Sequence, residues 1–180
     1  MKLNFSVDKS WTLFLDRDGV INEKKENDYV KKWSEFSFIS GSLDAISKFS
    51  NVFGNIIIVT NQRGVGRGQM KEEDLISIHH KMLEEIKFNS GRIDKIYYCT
   101  EVLDEASCRK PNVGMGYRAK NDFPDIDFDK SVMVGDSISD IEFAESLGMK
   151  KIFIGENNQN LNLDGKFSSL YQFCNSLMSL

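Results

Sequence analysis

Phe14-Leu15-Asp16-Arg17-Asp18-Gly19-Val20-Ile21-Asn22 is the stretch around which the rest of the chain can be read. A short apolar run, Trp11 to Leu15, stops abruptly at two carboxylates one residue apart, and a glycine follows. Apolar runs of this length suit a strand buried on both faces, as in parallel sheets. Acids at the C-terminal end of such a strand stand where open α/β sheets bind their ligands. Two carboxylates this close repel each other unless a cation or a shared proton holds them. A magnesium site that also receives a phosphate is the simplest arrangement meeting that need. Asp-Gly alone is also a common turn signal, so the rest of the chain has to decide.

Outward from this stretch the pattern of apolar run and polar end repeats. Asn55 to Thr60 is a second buried strand, ending in Thr60-Asn61-Gln62 and then Arg63-Gly64-Val65-Gly66-Arg67-Gly68. Ile93 to Thr100 alternates as a third strand, and a polar loop leads from it to Cys108-Arg109-Lys110-Pro111. Ser131 to Gly135 is a fourth, followed by Asp136 and Asp140, and Lys151 to Ile154 is a fifth. Helical spacing fills the gaps: Leu43, Ile46 and Phe49 within Ser42–Phe53, and Leu75, His79, Met82, Leu83 and Ile86 within Lys71–Phe88. A weaker helix covers Val113–Asn121, Ile138 to Leu147 is a short one stopped by Gly148, and Phe167, Leu170, Phe173 and Leu177 mark a last one. The only histidines, His79 and His80, have no Cys or carboxylate nearby at ligand spacing and are read as structural or solvent-facing. Glu23 to Ser40 carries Tyr29, Trp33, Phe36 and Phe38 and is read as a structured, flap-like loop, because aromatics at that density need a surface to pack on. Strands alternating with helices imply right-handed crossovers. The fold expected is α/β: a Rossmann-like three-layer sandwich with a central, mostly parallel five-stranded sheet and no separate cap, one domain over residues 1–180.

Composition narrows the function. A net charge of −4 argues against a nucleic-acid partner, because phosphate-backbone affinity needs a basic surface. No early apolar core marks a signal peptide, and runs such as Ile56–Val59 are too short to span a bilayer, so no membrane is expected. Cys99, Cys108 and Cys174 form no even disulfide framework, and the default compartment is a reducing cytoplasm. A monomer acting on a small molecule is expected.

The polar clusters at the strand ends are chemically complementary. Asp16 and Asp18 follow the first strand, Thr60 and Asn61 the second, Asp136 and Asp140 the fourth, with Lys110 on the loop after the third. In a parallel sheet those ends share one edge. Each cluster alone reads equally well as a cap, a turn or a solvated charge. The succession of acid pair, hydroxyl, lysine and acid pair is hard to explain by caps.

These segments resemble the haloacid dehalogenase superfamily of phosphohydrolases, in FLDRDGVIN, IIVTN, RKP and VMVGDSISDI. DGVIN…DYV, TNQRGVGRG and CRKPNVGM further resemble its capless group of heptose-bisphosphate and histidinol-phosphate phosphatases. The resemblance covers roughly Trp11 to Gly155. It implies that Asp16 is the nucleophile, forming an aspartyl-phosphate, and that Asp18 is the general acid and base. It implies Mg²⁺ on Asp16, Asp136 and the backbone carbonyl of Asp18. Thr60, Asn61 and Lys110 would hold the phosphoryl oxygens, with Asn22, Gln62, Arg63, Arg67 and Arg109 added on the substrate side. Asp140 would orient Lys110 or a metal-bound water, or simply cap a helix. Relatives in the group often carry a zinc loop, Cys-x-His then Cys-x-Cys. Here Glu101 stands for the histidine and Ala106 for a cysteine, so zinc is not expected. The substrate implied is a sugar bisphosphate of the D-glycero-D-manno-heptose 1,7-bisphosphate type. Histidinol phosphate is the alternative, and a polynucleotide 3′-phosphate is more distant, since Gly19-Val20 replaces that group's Gly-Thr.

Overall fold

Six strands form one sheet: β1 (Thr12–Leu15), β2 (Asn55–Asn61), β3 (Lys95–Cys99), β4 (Ser131–Gly135), β5 (Lys150–Ile154) and β6 (Gly165–Phe167). The structure, a computed structural model, describes residues 3–156 and 161–179. Every pairing is parallel, in the order β3-β2-β1-β4-β5-β6. The helices are α1 (Ser42–Val52), the single turn α2 (Arg63–Gly66), α3 (Glu72–Phe88), α4 (Gly114–Asp122), α5 (Ile138–Leu147) and α6 (Leu170–Met178).

Side chains alternate across the sheet and make two cores. Leu13, Leu15, Ile56, Ile58, Val132 and Val134 face α1, α3 and α6, meeting Phe49, Leu75, Met82 and Phe173. Phe14, Ile57, Val59 and Met133 face α4 and α5, meeting Met115, Phe143 and Leu147. Burying each such side chain contributes about 1.5–3 kcal/mol, which is why strands buried on both faces read as unbroken apolar runs.

One strand was not expected. Gly165-Lys166-Phe167 pairs with Ile152, Phe153 and Ile154, so the sheet has six strands, not five. Three residues including a glycine are too short to display a period of two. Phe167 therefore belongs to a strand, and the last helix starts later, at Leu170, where Ser169 accepts a hydrogen bond from Gln172 N at 3.2 Å.

The chain lays down β1, β2 and β3 in one direction, then returns to add β4, β5 and β6 on the other side of β1. The switch between β1 and β4 opens a crevice at the C-terminal ends of both. Over it lies the segment from Glu23 to Ser40. Its ends are pinned by Glu23 N to Ser37 O at 2.8 Å and Ile39 N to Ile21 O at 2.9 Å. Trp33 stacks on Phe36 with centroids 4.9 Å apart, and Phe36 meets Phe38 edge-on at 5.0 Å. These rings and Val30 pack on the core, leaving Lys24, Lys25, Asp28 and Tyr29 at the tip along the crevice.

Candidate active site

Asp16 continues β1 beyond its last residue, its N–H bonded to Val134 O at 2.9 Å, so its side chain is delivered between β1 and β4. Lys110 arrives from the loop after β3 and is buried, with its ammonium between two acids. Nζ lies 3.0 Å from Asp16 Oδ1 and 2.5 Å from Asp140 Oδ1, and it donates to Val59 O at 2.7 Å. Asn61 fixes the lysine's backbone from both sides, accepting from Lys110 N and donating to Lys110 O, each at 3.0 Å. Asp140 does two jobs. One oxygen meets Lys110, while the other accepts from Ser137 N at 3.0 Å and Ser137 Oγ at 2.6 Å, closing a capping box at the start of α5.

Asp18 faces a different set of partners. Both of its oxygens accept from Arg17 Nη2 at 2.9 Å, Oδ1 from Asn22 Nδ2 at 2.9 Å and Oδ2 from Gln62 Nε2 at 2.8 Å. Gln62 also donates to Thr60 Oγ1 at 3.0 Å. Arg17 is wholly buried, and its Nη1 lies 3.1 Å from His79 Nε2 on α3. An arginine only donates, so that imidazole nitrogen accepts and the ring is neutral with its proton on Nδ1. His80, one residue on, lies at the surface beside Glu84. Arg17 and His79 were not singled out as site residues by sequence. The arginine between two acids was the available signal; the histidine gave none.

Electrostatics separates the two aspartates. Burial pushes the Asp16 carboxyl up to about 7, with Lys110 opposing and Asp140, Asp136 and Asp18 adding to the rise. Burial would also raise Asp18, but the Arg17 guanidinium and the amide donors hold it below the ordinary carboxylate range. Burial raises Asp136 as well, against the pull of Lys24. Burial, then Arg17, lowers His79 to about 3.

Asp16, Asp136 and Asp140 each present a carboxylate oxygen, and the three lie within 4.8 Å of one another. Asp136 Oδ1 is buried without a hydrogen-bond partner. Gly19 keeps the backbone against this cluster: its φ is +87°, and a Cβ there would stand 2.2 Å from Asp136 Oδ2. Hard oxygen donors around an unsatisfied carboxylate fit Mg²⁺. The side chain of Asp18 is turned to Arg17, Asn22 and Gln62 and stands outside this cluster.

A cavity of about 220 Å³ stands over these groups, walled by Thr60, Asn61, Lys110, Lys24 and Tyr29. That is smaller than the roughly 300–1,000 Å³ of sites enclosing a whole drug-sized ligand. It holds the reacting end and leaves the rest of a ligand to the rim. Asn22 and Gln62 are turned to Asp18 and stand outside the cavity wall. Outside this lining, but close in sequence to the cavity-lining Asn61 and Lys110, Arg63 and Arg109 meet on Asp104, with Arg109 Nε 3.2 Å from Oδ1; together with the loop after Glu23 they make up the rim. Arg67 lies apart from them and donates to the Tyr29 hydroxyl at 3.2 Å.

The cysteines correct the sequence reading. Cys99 and Cys108 are joined by a disulfide, and Cys174 alone is free. The loop after β3 folds back on itself and brings the two Cα atoms to 5.5 Å, within disulfide reach. An odd total hid a pair that this loop makes local.

The family model described as polynucleotide kinase 3 phosphatase matches residues 11–169, which takes in all six strands and the residues from Asp16 to Asp140 that form the site. The chain belongs to this family. The chain is 34% identical over 169 residues to a D-glycero-alpha-D-manno-heptose-1,7-bisphosphate 7-phosphatase of Mycobacterium tuberculosis, covering 91% of this chain and 89% of that protein. It is 41% identical over 134 residues to the enzyme of the same name from Campylobacter jejuni, covering 74% and 76%. Among solved structures, the D,D-heptose 1,7-bisphosphate phosphatase of B. bronchiseptica, complexed with magnesium and phosphate, superposes with a TM-score of 0.85 at 28% identity, covering 94% of this chain and 98% of that one. Among the described residues no helix is long and apolar enough to cross a membrane.

Proposed function

We propose that the protein is a Mg²⁺-dependent phosphomonoester hydrolase acting on a sugar bisphosphate of the D-glycero-D-manno-heptose 1,7-bisphosphate type. The observation that carries this is the buried Asp16–Lys110–Asp140 series beside Asp136, at the switch point of the sheet. The heptose-bisphosphate phosphatases at 34% and 41% identity support the substrate class.

Asp16 attacks phosphorus while the bond to the sugar oxygen breaks, giving an aspartyl-phosphate and an alcohol. Asp18 relays to the departing oxygen a proton brought in by the monoanionic form of the phosphate ester, and then takes one from the water that hydrolyses the acyl phosphate. General acid–base help of this kind contributes typically 10²–10⁴-fold. The resting pattern of donors on Asp18 is that of its base form, ready for the second half. Thr60 and the Lys110 ammonium hold the phosphoryl oxygens, and Asn61 keeps Lys110 in place. Asp16, Asp136 and the Asp18 carbonyl would hold Mg²⁺, whose chemistry is to neutralise charge on the transferring group. No zinc is assigned to the Cys99–Cys108 loop, where Glu101 and Ala106 stand at positions that would have to supply ligands.

At the rim, Arg63 and Arg109 offer a second anionic group two guanidinium partners once Asp104 gives way. Asp104 also favours the rival reading, since a carboxylate there suits the ammonium of histidinol phosphate. Phosphate release from a panel holding heptose bisphosphates, matching monophosphates, histidinol phosphate and a 3′-phosphorylated oligonucleotide, with Mg²⁺ and with EDTA, tests both readings. The bisphosphate should lead in kcat/KM and chelation should abolish turnover; a lead for histidinol phosphate decides for the rival.

A further inference from the structure

Lys24 has no part in the chemistry above, yet it reaches the centre of the site. Its Nζ donates to Asp136 Oδ2 at 2.7 Å, linking the loop after β1 to the end of β4. The lysine side chain is 55% exposed and the aspartate side chain 15%. Its backbone lies just past the pin at Glu23, on the loop tip, so the ammonium is tethered to the site and not buried in it.

Charge explains why it is there. Asp16, Asp136 and Asp140 bring three negative charges, and Lys110 returns one positive charge. Lys24 leaves the cluster with one net negative charge; a divalent cation in its place leaves none. A divalent cation on the free Asp136 Oδ1 would repel the ammonium on Oδ2 and draw charge from the carboxylate they share, so each weakens the hold of the other. Lys24 also walls the cavity alongside Thr60, Asn61 and Lys110. A lysine displaced from Asp136 on its flexible stem therefore has a phosphoryl group as the anion within reach.

We propose that Lys24 is exchanged between two partners: it occupies Asp136 while the site lacks its metal, and is released by the metal onto the phosphoryl group of the substrate. This rests on the reading of Asp16 and Asp136 as magnesium ligands. Lys24 thus competes with the metal and assists the phosphate, and one substitution moves the two affinities in opposite directions.

The test is calorimetric titration of the intact protein, first with Mg²⁺ alone, then with inorganic phosphate at saturating Mg²⁺. In Lys24→Gln, Mg²⁺ should bind about two- to tenfold tighter and phosphate about two- to tenfold weaker than in wild type, the range for a partly exposed charged hydrogen bond. Lys25→Gln removes the same charge from the same loop, but Lys25 pairs with Glu35 at 2.8 Å. Its shifts should be clearly smaller. Mg²⁺ should also raise the melting temperature of Lys24→Gln more than that of wild type. An unchanged Mg²⁺ affinity, an unchanged phosphate affinity, or equal shifts in Lys24→Gln and Lys25→Gln would each overturn the proposal. Absence of Mg²⁺ binding in wild type would instead overturn the magnesium reading itself.

Discussion

The floor and the rim of the cavity use the same charged residue types and treat them oppositely. On the floor, each charge is buried and held from several elements at once. Lys110 touches β2 through Val59, the end of β1 through Asp16 and α5 through Asp140. Asp18 is gripped by Arg17, Asn22 and Gln62. On the rim, each contact has one exposed partner: a Lys24 side chain 55% exposed on Asp136, and an Asp104 side chain 81% exposed shared by Arg63 and Arg109. Exposed pairs contribute about 0–1 kcal/mol and exchange readily, whereas breaking one side of a buried set costs about 3–5 kcal/mol. The floor is thus suited to chemistry that must not move, and the rim to recognition that has to swap partners.

Breaking the floor at its centre should have the largest effect. Asp16→Asn keeps the shape and removes the nucleophilic charge, so kcat should fall by roughly 10⁴-fold or more with the circular dichroism spectrum unchanged. Turnover within tenfold of wild type would sink the covalent route. Next comes Lys110→Met, which leaves Asp16 and Asp140 buried with no counter-charge. Denaturant unfolding without metal should show a loss of about 3–5 kcal/mol, together with lost activity. A stable, inactive variant would mean that the floor does not depend on this charge.

The same contrast decides what could be read from sequence. Floor residues follow strands buried on both faces, and such strands announce themselves as apolar runs ending in polar groups; Asp16, Thr60, Asp136 and the succession of layers were legible for that reason. Lys110 was legible through its motif. The acceptor behind Arg17 was not, because His79 comes from a helix whose apolar stripe disguises it as core. Nor was the rim: Asp104 meets Arg63, and Lys24 meets Asp136, across loops whose course no periodicity reports. The Cys99–Cys108 pair and β6 were missed on the same ground, local geometry without a repeating signal.

Rim substitutions sharpen the contrast with smaller effects. Arg109→Ala removes one of the two guanidinium groups at Asp104. If these receive a second phosphate, the preference for a bisphosphate over its monophosphate should shrink by roughly 10-fold, with little change in kcat/KM for the monophosphate. Asp104→Asn should do the reverse, raising bisphosphate kcat/KM severalfold by freeing both arginines. Equal losses on both substrates for Arg109→Ala would place that residue with the floor.

The smallest effect asks how far beneath Asp18 the fixed layer extends. His79 accepts from buried Arg17, and burial first, with the guanidinium second, lowers the imidazole from 6.5 to about 3. Above pH 6.5 both folded and unfolded chains hold it neutral. Between pH 6.5 and about 3 the unfolded chain takes up a proton that the folded one refuses, so stability falls as pH falls through that window. At pH 5.5 this single group costs on the order of 1 kcal/mol relative to pH 8. Gln at position 79 places an amide oxygen near the Nε2 position and cannot titrate. His79→Gln should therefore lose less stability than wild type between pH 8 and 5.5 in denaturant melts, by about that amount. Identical pH slopes in the two proteins would show that Arg17 does not need a neutral imidazole behind it, and the fixed layer would end at the guanidinium.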